Sequence, residues 1–187
     1  SADATLAKMD SSLARAVSKG RLSEEEHAAI LGRVTATDDL SKVADCDLVI
    51  ESVVEDLATK TALFAELDQV CGPDTILATN TSTLAVTEMA VATGRPDKVC
   101  GIHFFNPVAQ MMLVEIVQGP QTSAEVMQAA QAFVKKIDKL PLPVKSAPGF
   151  LVNRILTPYM TEAQIMLEEG VPAETIDAAA REFGMPM

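Results

Sequence analysis

Apolar positions along the first third of the chain recur at helical spacing, and short apolar runs then alternate with further helices. Leu6, Met9, Leu13, Ala16 and Val17 form a stripe that Gly20 ends, and Ser23 with Glu26 has the capping-box spacing that opens a second helix through Ala29, Ile30 and Leu31. Asp47–Glu51 is a short apolar run of the kind that forms a buried parallel strand. A helix follows with Leu63, Phe64, Leu67 and Val70 on one face, stopped by Gly72-Pro73, and residues 75–79 make the next strand. Leu84, Val86 and Met89 mark a helix broken at Gly94-Arg95-Pro96. Residues 98–104 and 112–117 are two more strands separated by Asn106-Pro107, a connector too short for a helical crossover, so the pair is expected to be antiparallel. Thr122 with Glu125 is expected to cap a helix carrying Val126, Ala130, Phe133, Val134 and Ile137, before a last short strand at 142–145.

The alternation predicts an α/β fold with a mainly parallel sheet. The pattern changes at Pro148-Gly149. Beyond it, residues 151–167 are long and apolar, and Ile176, Ala180 and Phe183 form a second stripe between Pro172 and Gly184. The expected organisation is therefore an α/β domain over residues 1–146 and the start of an all-α domain over 147–187. A first element in mid-helix and some 38 final residues, too few for an independent core, give the expectation that the chain is part of a longer protein.

Composition narrows the function. Of 187 residues, 48% are hydrophobic but only 4% aromatic, which predicts an aliphatic core. The net charge of −11 and a pI near 4.6 argue against nucleic acid or an anionic membrane surface as a partner, while leaving room for an anionic small molecule held by a few local donors. Cys46, Cys71 and Cys100 have neither disulfide-framework nor zinc-site spacing, so no metal is expected. With no signal-peptide pattern and no apolar run of about 18 residues, the expected location is the cytoplasm of a bacterium, or an organelle matrix in a eukaryote.

Candidate chemistry centres on one histidine. His27 follows a Glu run on an amphipathic helix and reads as solvent-facing. His103 ends an apolar strand, where open α/β sheets place their ligands. Glu115 lies inside the apolar strand 112–117, and a buried carboxylate needs a partner. The short connection between the strands makes His103 that partner. A carboxylate on one imidazole nitrogen fixes the tautomer and raises the basicity of the other, although a purely structural pair has the same appearance. Ser82, in Asn80-Thr81-Ser82-Thr83, sits where a helix N-cap is expected. Glu55 follows a strand, placed either to meet a ribose or to cap the helix after it. Asn153 is a buried-looking amide in an apolar helical stretch. The sequence contains no GxG, hence no dinucleotide fingerprint loop.

Taken together, Asn80-Thr81-Ser82, His103-Phe104-Phe105-Asn106-Pro107, Leu113-Val114-Glu115 and Pro148-Gly149-Phe150 through Asn153-Arg154 resemble the L-3-hydroxyacyl-CoA dehydrogenase family. Gly20-Arg21-Leu22-Ser23 and Phe183-Gly184-Met185-Pro186-Met187 look more like the dehydrogenase region of multifunctional fatty-acid oxidation proteins. The resemblance implies NAD as cofactor, an acyl-CoA substrate, and a parent protein that is a homo-oligomer or part of a fatty-acid oxidation complex. It further implies catalytic roles for Ser82, His103, Glu115 and Asn153, and dinucleotide contacts for Glu55, Lys60, Ser82 and Asn106, with Lys60 also serving the coenzyme A side. By this likeness the fold is an incomplete Rossmann-type domain, its first strand and glycine loop missing, followed by the start of a helical domain. Two other readings fit the residues: a dehydrogenase of another hydroxy acid on the same frame, and a non-catalytic CoA-binding or assembly module.

Overall fold

The structure, a computed structural model, describes residues 2–185. The chain divides into two compact units, one formed by the residues up to Asp45 with Val70–Gly72, the other by Cys46–Gln69 with the residues from Pro73 onward.

The first unit is helical. Helix α1 spans Ala2–Ser18 and helix α2 spans Glu24–Leu31. The capping box at the start of α2 forms as the spacing predicts: Ser23 Oγ accepts the Glu26 N–H at 3.1 Å, and the Glu26 carboxylate accepts the Ser23 N–H at 2.8 Å. His27 departs from expectation. Its ring is only 14% exposed, and Nε2 lies 2.8 Å from Asp10 Oδ1, so this histidine joins α2 to α1 instead of facing solvent.

The second unit carries a five-stranded sheet in sequential order: β1 (Leu48–Glu51), β2 (Ile76–Thr79), β3 (Val99–Phe104), β4 (Leu113–Gln118) and β5 (Leu140–Lys145). Strands β1, β2 and β3 run parallel, β4 reverses against β3 as the short connector requires, and β5 is parallel to β4. Helix α3 (Leu57–Val70) follows β1, α4 (Val86–Val91) follows β2, and α5 (Ala124–Lys136) joins β4 to β5. Strand alternation sends Ala78, Cys100, Ile102, Val114 and Ile116 to one face, covered by Val126, Met127, Ala130 and Val134 of α5. There, burial pushes the Cys100 thiol up to about 12, which keeps it protonated.

On the other face the chain needs a glycine. A Cβ at Gly101 would lie 2.7 Å from Val117 Cβ and 3.3 Å from Val86 Cγ2, so the missing side chain lets α4 settle on the sheet. The same alternation puts Glu51, Thr79, His103 and Glu115 on this face, at the end of the sheet where β1, β2 and β3 run out.

Two details differ from the sequence reading. Strand β5 begins at Leu140, two residues early. It is an edge strand whose Leu140 and Ser146 N–H groups bond to β4, so Pro141 and Pro143 fall at positions whose absent N–H would have pointed outward. Helix α5 is capped by Ser123, whose hydroxyl accepts the Val126 N–H. Thr122 instead donates to the Val99 carbonyl at 2.6 Å and accepts the Gly119 N–H at 2.9 Å.

Helices α6 (Val152–Glu168) and α7 (Ala173–Phe183) complete the unit, with Tyr159, Met166, Ile176 and Phe183 lining an apolar groove between them. Among the described residues no helix is long and apolar enough to cross a membrane.

Candidate active site

His103 and Glu115 are direct cross-strand partners, a placement that brings side chains together at little conformational cost. His103 Nδ1 lies 2.8 Å from Glu115 Oε2. The Glu115 side chain is fully buried, and its other oxygen accepts the N–H groups of Leu151 at 2.9 Å and Val152 at 3.0 Å, at the start of α6. Three N–H donors and the positive end of a helix thus meet this carboxylate, the compensation that a buried charge requires.

The chain reaches this geometry through two consecutive residues in the left-handed region, Gly149 at φ +71° and Phe150 at φ +48°. Such a conformation is unusual for a bulky residue, and backbone strain of this kind concentrates at functional sites. It aims the first N–H groups of α6 at Glu115 and lays the Phe150 ring edge-on to the imidazole, with centroids 5.6 Å apart. Phe105 covers the imidazole from another side at 4.5 Å.

Because Glu115 receives its other hydrogen bonds as an acceptor, the His103 proton belongs on Nδ1, and Nε2 is left with its lone pair. That nitrogen faces the Ser82 hydroxyl at 3.1 Å. Ser82 is not the helix cap that the sequence implied. Helix α4 starts at Val86, after Ala85, with no side-chain cap. Thr81 instead holds the turn before it, accepting the N–H groups of Thr83 at 3.3 Å and Leu84 at 2.9 Å, which leaves the Ser82 hydroxyl for the imidazole. Asn153 comes to the same place, its amide donating to the Ser82 carbonyl at 3.4 Å. Asn80 Oδ1 accepts the Phe104 N–H at 2.8 Å and ties the ends of β2 and β3 together.

Glu55 lies one hydrogen bond further out. It accepts the Ser82 N–H at 3.0 Å and the Thr81 hydroxyl. Burial pushes its carboxyl up, but the Thr81 hydroxyl, the Ser82 N–H and the Lys60 ammonium together outweigh burial and hold it below the usual carboxylate value. It does not cap α3; Asp56 does, accepting the Thr59 N–H at 2.8 Å.

Lys60 sits beneath, 1% exposed, with its ammonium 2.6 Å from Glu51, 3.3 Å from the Val53 carbonyl and 3.4 Å from Glu55. Asn106 is exposed on the loop after His103. The structure therefore gathers His103, Glu115, Ser82 and Asn153 directly, Glu55 at one remove, and Lys60 as buried support for Glu55.

Sequence reasoning passed over Glu51, Thr79 and Phe150. For Glu51 a signal existed: a carboxylate closing an apolar strand needs a partner for the same reason that Glu115 does. For Phe150 none did, because its left-handed backbone is invisible in residue type.

The comparisons decide the family. Residues 1–147 match the model of the 3-hydroxyacyl-CoA dehydrogenase NAD binding domain, and residues 149–187 match that of the C-terminal domain. The chain belongs to the 3-hydroxyacyl-CoA dehydrogenase family. It is 45% identical over 180 residues to a 3-hydroxybutyryl-CoA dehydrogenase of Clostridioides difficile, covering 96% of this chain and 64% of that protein. It is 43% identical over 176 residues to the fatty acid oxidation complex subunit alpha of Idiomarina loihiensis, covering 94% of this chain and 24% of the subunit. The crystal structure of a 3-hydroxybutyryl-CoA dehydrogenase from Escherichia coli K12 superposes with a TM-score of 0.91 at 42% identity, over 94% of this chain and 38% of that one. The chain thus spans less than two thirds of the length of these relatives. The parallel-dominated sheet followed by helices is the NAD-binding and C-terminal arrangement of this family.

Proposed function

We propose that this member of the 3-hydroxyacyl-CoA dehydrogenase family serves in the NAD-dependent oxidation of an L-3-hydroxyacyl-CoA to the 3-ketoacyl-CoA. The observation that carries the reading is the imidazole of His103, held by Glu115 at 2.8 Å and presenting Nε2 to Ser82 at 3.1 Å where the parallel strands end. An imidazole so held is a general base with a fixed tautomer. Nε2 takes the proton of the substrate 3-hydroxyl as hydride leaves C3. Glu115 stabilises the imidazolium that forms, and the N–H groups of Leu151 and Val152 keep Glu115 in place. The Ser82 hydroxyl and the Asn153 amide orient the reacting oxygen and the thioester beside it.

NAD, when bound, accepts the hydride. The residues at this edge suit its nicotinamide riboside end: Glu55 has a carboxylate with a 42% exposed side chain, fit to accept from ribose hydroxyls, and Ser82 and Asn106 are further polar partners. No GxG loop for the pyrophosphate occurs in the sequence. We assign residues 1–146 to the nucleotide-binding domain and 147–187 to the substrate and dimerisation domain. We place the reaction in fatty-acid β-oxidation in the cytoplasm, in a homo-oligomer or a fatty-acid oxidation complex; the Idiomarina loihiensis relative is the alpha subunit of such a complex.

The test is NADH-linked turnover of acetoacetyl-CoA by the complete open reading frame that carries this chain. His103→Gln should lower kcat by about a thousandfold, the general-base contribution, and leave the Kd for NADH near its starting value. Loss of NADH binding with kcat preserved would overturn the assignment.

A further inference from the structure

Two buried groups on the active face take no part in the chemistry proposed above. Glu51 closes β1 with a fully buried side chain, and Thr79, its register partner at the end of β2, is also fully buried. Glu51 accepts three hydrogen bonds, from the Val53 N–H at 2.6 Å, the Lys60 ammonium at 2.6 Å and the Thr79 hydroxyl at 2.8 Å. Thr79 Oγ1 in turn accepts the Thr81 N–H at 3.2 Å. A hydroxyl can donate to a carboxylate and accept an N–H at one atom, which a methyl group in its place cannot. From Thr81 the chain of bonds continues through its hydroxyl to Glu55, and from Glu55 to the Ser82 N–H at 3.0 Å. Lys60 closes the circuit by bridging Glu51 and Glu55. An ammonium has three donors, and all three of those on Lys60 have partners inside the protein.

We propose that Glu51 and Thr79 are positioning residues that set the Ser82 hydroxyl against His103, acting through Thr81, Lys60 and Glu55. On this proposal Lys60 influences a bound cofactor through Glu55 and not by direct contact. The physical argument is one of rigidity. Ser82 lies on the turn after β2, and its hydroxyl must hold its place opposite Nε2 to within a few tenths of an ångström. A turn tied to a buried ion pair at one end and to a carboxylate at the other has few conformations left. The effect on turnover rests on the dehydrogenase reading; the effect on the imidazole does not.

The experiment compares Thr79→Val with Thr79→Ser in the complete protein. Valine keeps the shape and removes the hydroxyl, leaving the Thr81 N–H without its acceptor, whereas serine restores the hydroxyl. Thr79→Val should lower kcat about tenfold, the scale of a sub-ångström misplacement of a catalytic group, and shift the imidazole nitrogen resonances of His103 in NMR. Thr79→Ser should restore both to within about twofold of the parent. A Thr79→Val protein that melts earlier but keeps the parent kcat and His103 resonances would reduce Thr79 to a structural role and overturn the proposal, as would failure of serine to rescue. If Thr79→Val does not fold, the cofactor-free Glu55→Gln protein carries the test by NMR alone: weakening the last bonds of the circuit should shift the His103 imidazole resonances, and unshifted resonances would overturn the proposal. If no variant and no parent protein turns over acyl-CoA, the dehydrogenase reading falls, while the NMR contrast between valine and serine still supports or sinks the positioning role by itself.

Discussion

The site holds two buried carboxylates in nearly the same surroundings, and the proposed function gives them different work. Glu115 and Glu51 lie on the same face of the sheet, both side chains are fully buried, and each accepts three hydrogen bonds. The difference is the charged partner. Glu115 meets an imidazole, which keeps a second nitrogen aimed outward at Ser82. Glu51 meets an ammonium whose remaining donors go to Val53 and Glu55. Burial and saturation alone therefore do not mark a catalytic carboxylate. What marks it is a partner with an unused proton site facing the ligand end of the sheet.

Neutralising each carboxylate by its amide should separate the two roles. In Glu115→Gln the amide can present its NH₂ to Nδ1 and turn the imidazole into the tautomer whose Nε2 carries the proton. With a protonated Nε2 the base is lost, so kcat should fall by about three orders of magnitude or more, as expected for a triad-type carboxylate replaced by its amide. NADH affinity should change little. A Glu115→Gln enzyme with near-parental kcat would show that His103 needs no partner and would erase the distinction drawn above. Steady-state kinetics with a fluorescence titration of NADH reads both quantities.

Glu51→Gln should give the opposite profile. It leaves the Lys60 ammonium buried without its nearest anion, although Glu55 remains 3.4 Å away. Stability should drop by about 3 kcal/mol, the lower end of the cost of breaking a buried ion pair, with a loss of kcat far smaller than for Glu115→Gln. Replacing both partners, Glu51→Gln with Lys60→Met, should recover part of that stability, since no uncompensated charge remains. Chemical denaturation of the parent, the two single variants and the double variant provides the measurement. A double variant less stable than the sum of the singles would mean that packing, not charge, is what Lys60 supplies.

Why the sequence disclosed one pair and hid the other follows from these contacts. His103 and Glu115 are both polar interruptions of apolar strands joined by a short connector, so register alone brings them together. Glu51 and Lys60 are nine positions apart across a strand end and a helix, and the buried stripe of α3 continues through Lys60, Phe64 and Leu67. A lysine on an apolar face reads as a snorkelling side chain until its partner is seen. Ser82 was read as a cap because residue type does not fix where a helix begins: α4 starts only at Val86, without a side-chain cap, while Thr81 bonds the turn before it, and so Ser82 is available. The same ambiguity moved the α5 cap from Thr122 to Ser123. The reversal of β4 against β3 was legible because connector length constrains strand direction strongly. The start of β5 was obscured by its two prolines, and the left-handed Phe150 had no signature at all.

The active face also rests on a close approach that a single methyl group would disturb. Gly101, the register partner of Val117, lies two residues from His103, on the same side of β3. In Gly101→Ala the new Cβ would stand 2.7 Å from Val117 Cβ and 3.0 Å from Val117 Cγ2, contacts that backbone movement must relieve. The cost should be about 1–3 kcal/mol, typical of overpacking in a well-filled core. Because β3 carries His103 and β4 carries Glu115, the shift should also weaken kcat more than an equally destabilising change on the α5 face, for example Val134→Ala. Equal kcat in the two variants at matched stability would show that the His103–Glu115 pair tolerates strand movement.

The smallest effect belongs to Glu55, at the outer end of the Glu51 circuit. Its carboxyl is held below the ordinary value of about 4.3 by the Thr81 hydroxyl, the Ser82 N–H and the Lys60 ammonium, against the opposing push of burial. A depressed folded-state value means that the unfolded chain binds the proton more readily. The stabilisation is therefore present in full above the unfolded value and is lost as the pH falls through the folded one. Thermal melts of the parent and Glu55→Gln between about pH 7 and pH 3 should accordingly show the parent the more stable at neutrality, with the gap narrowing below about pH 4. Salt should narrow it as well, because the side chain is 42% exposed and its attraction to Lys60 is partly screened. A gap that widens on acidification would mean that the Glu55 carboxyl is bound more tightly when protonated, and the circuit from Glu51 to Ser82 would then not depend on its charge.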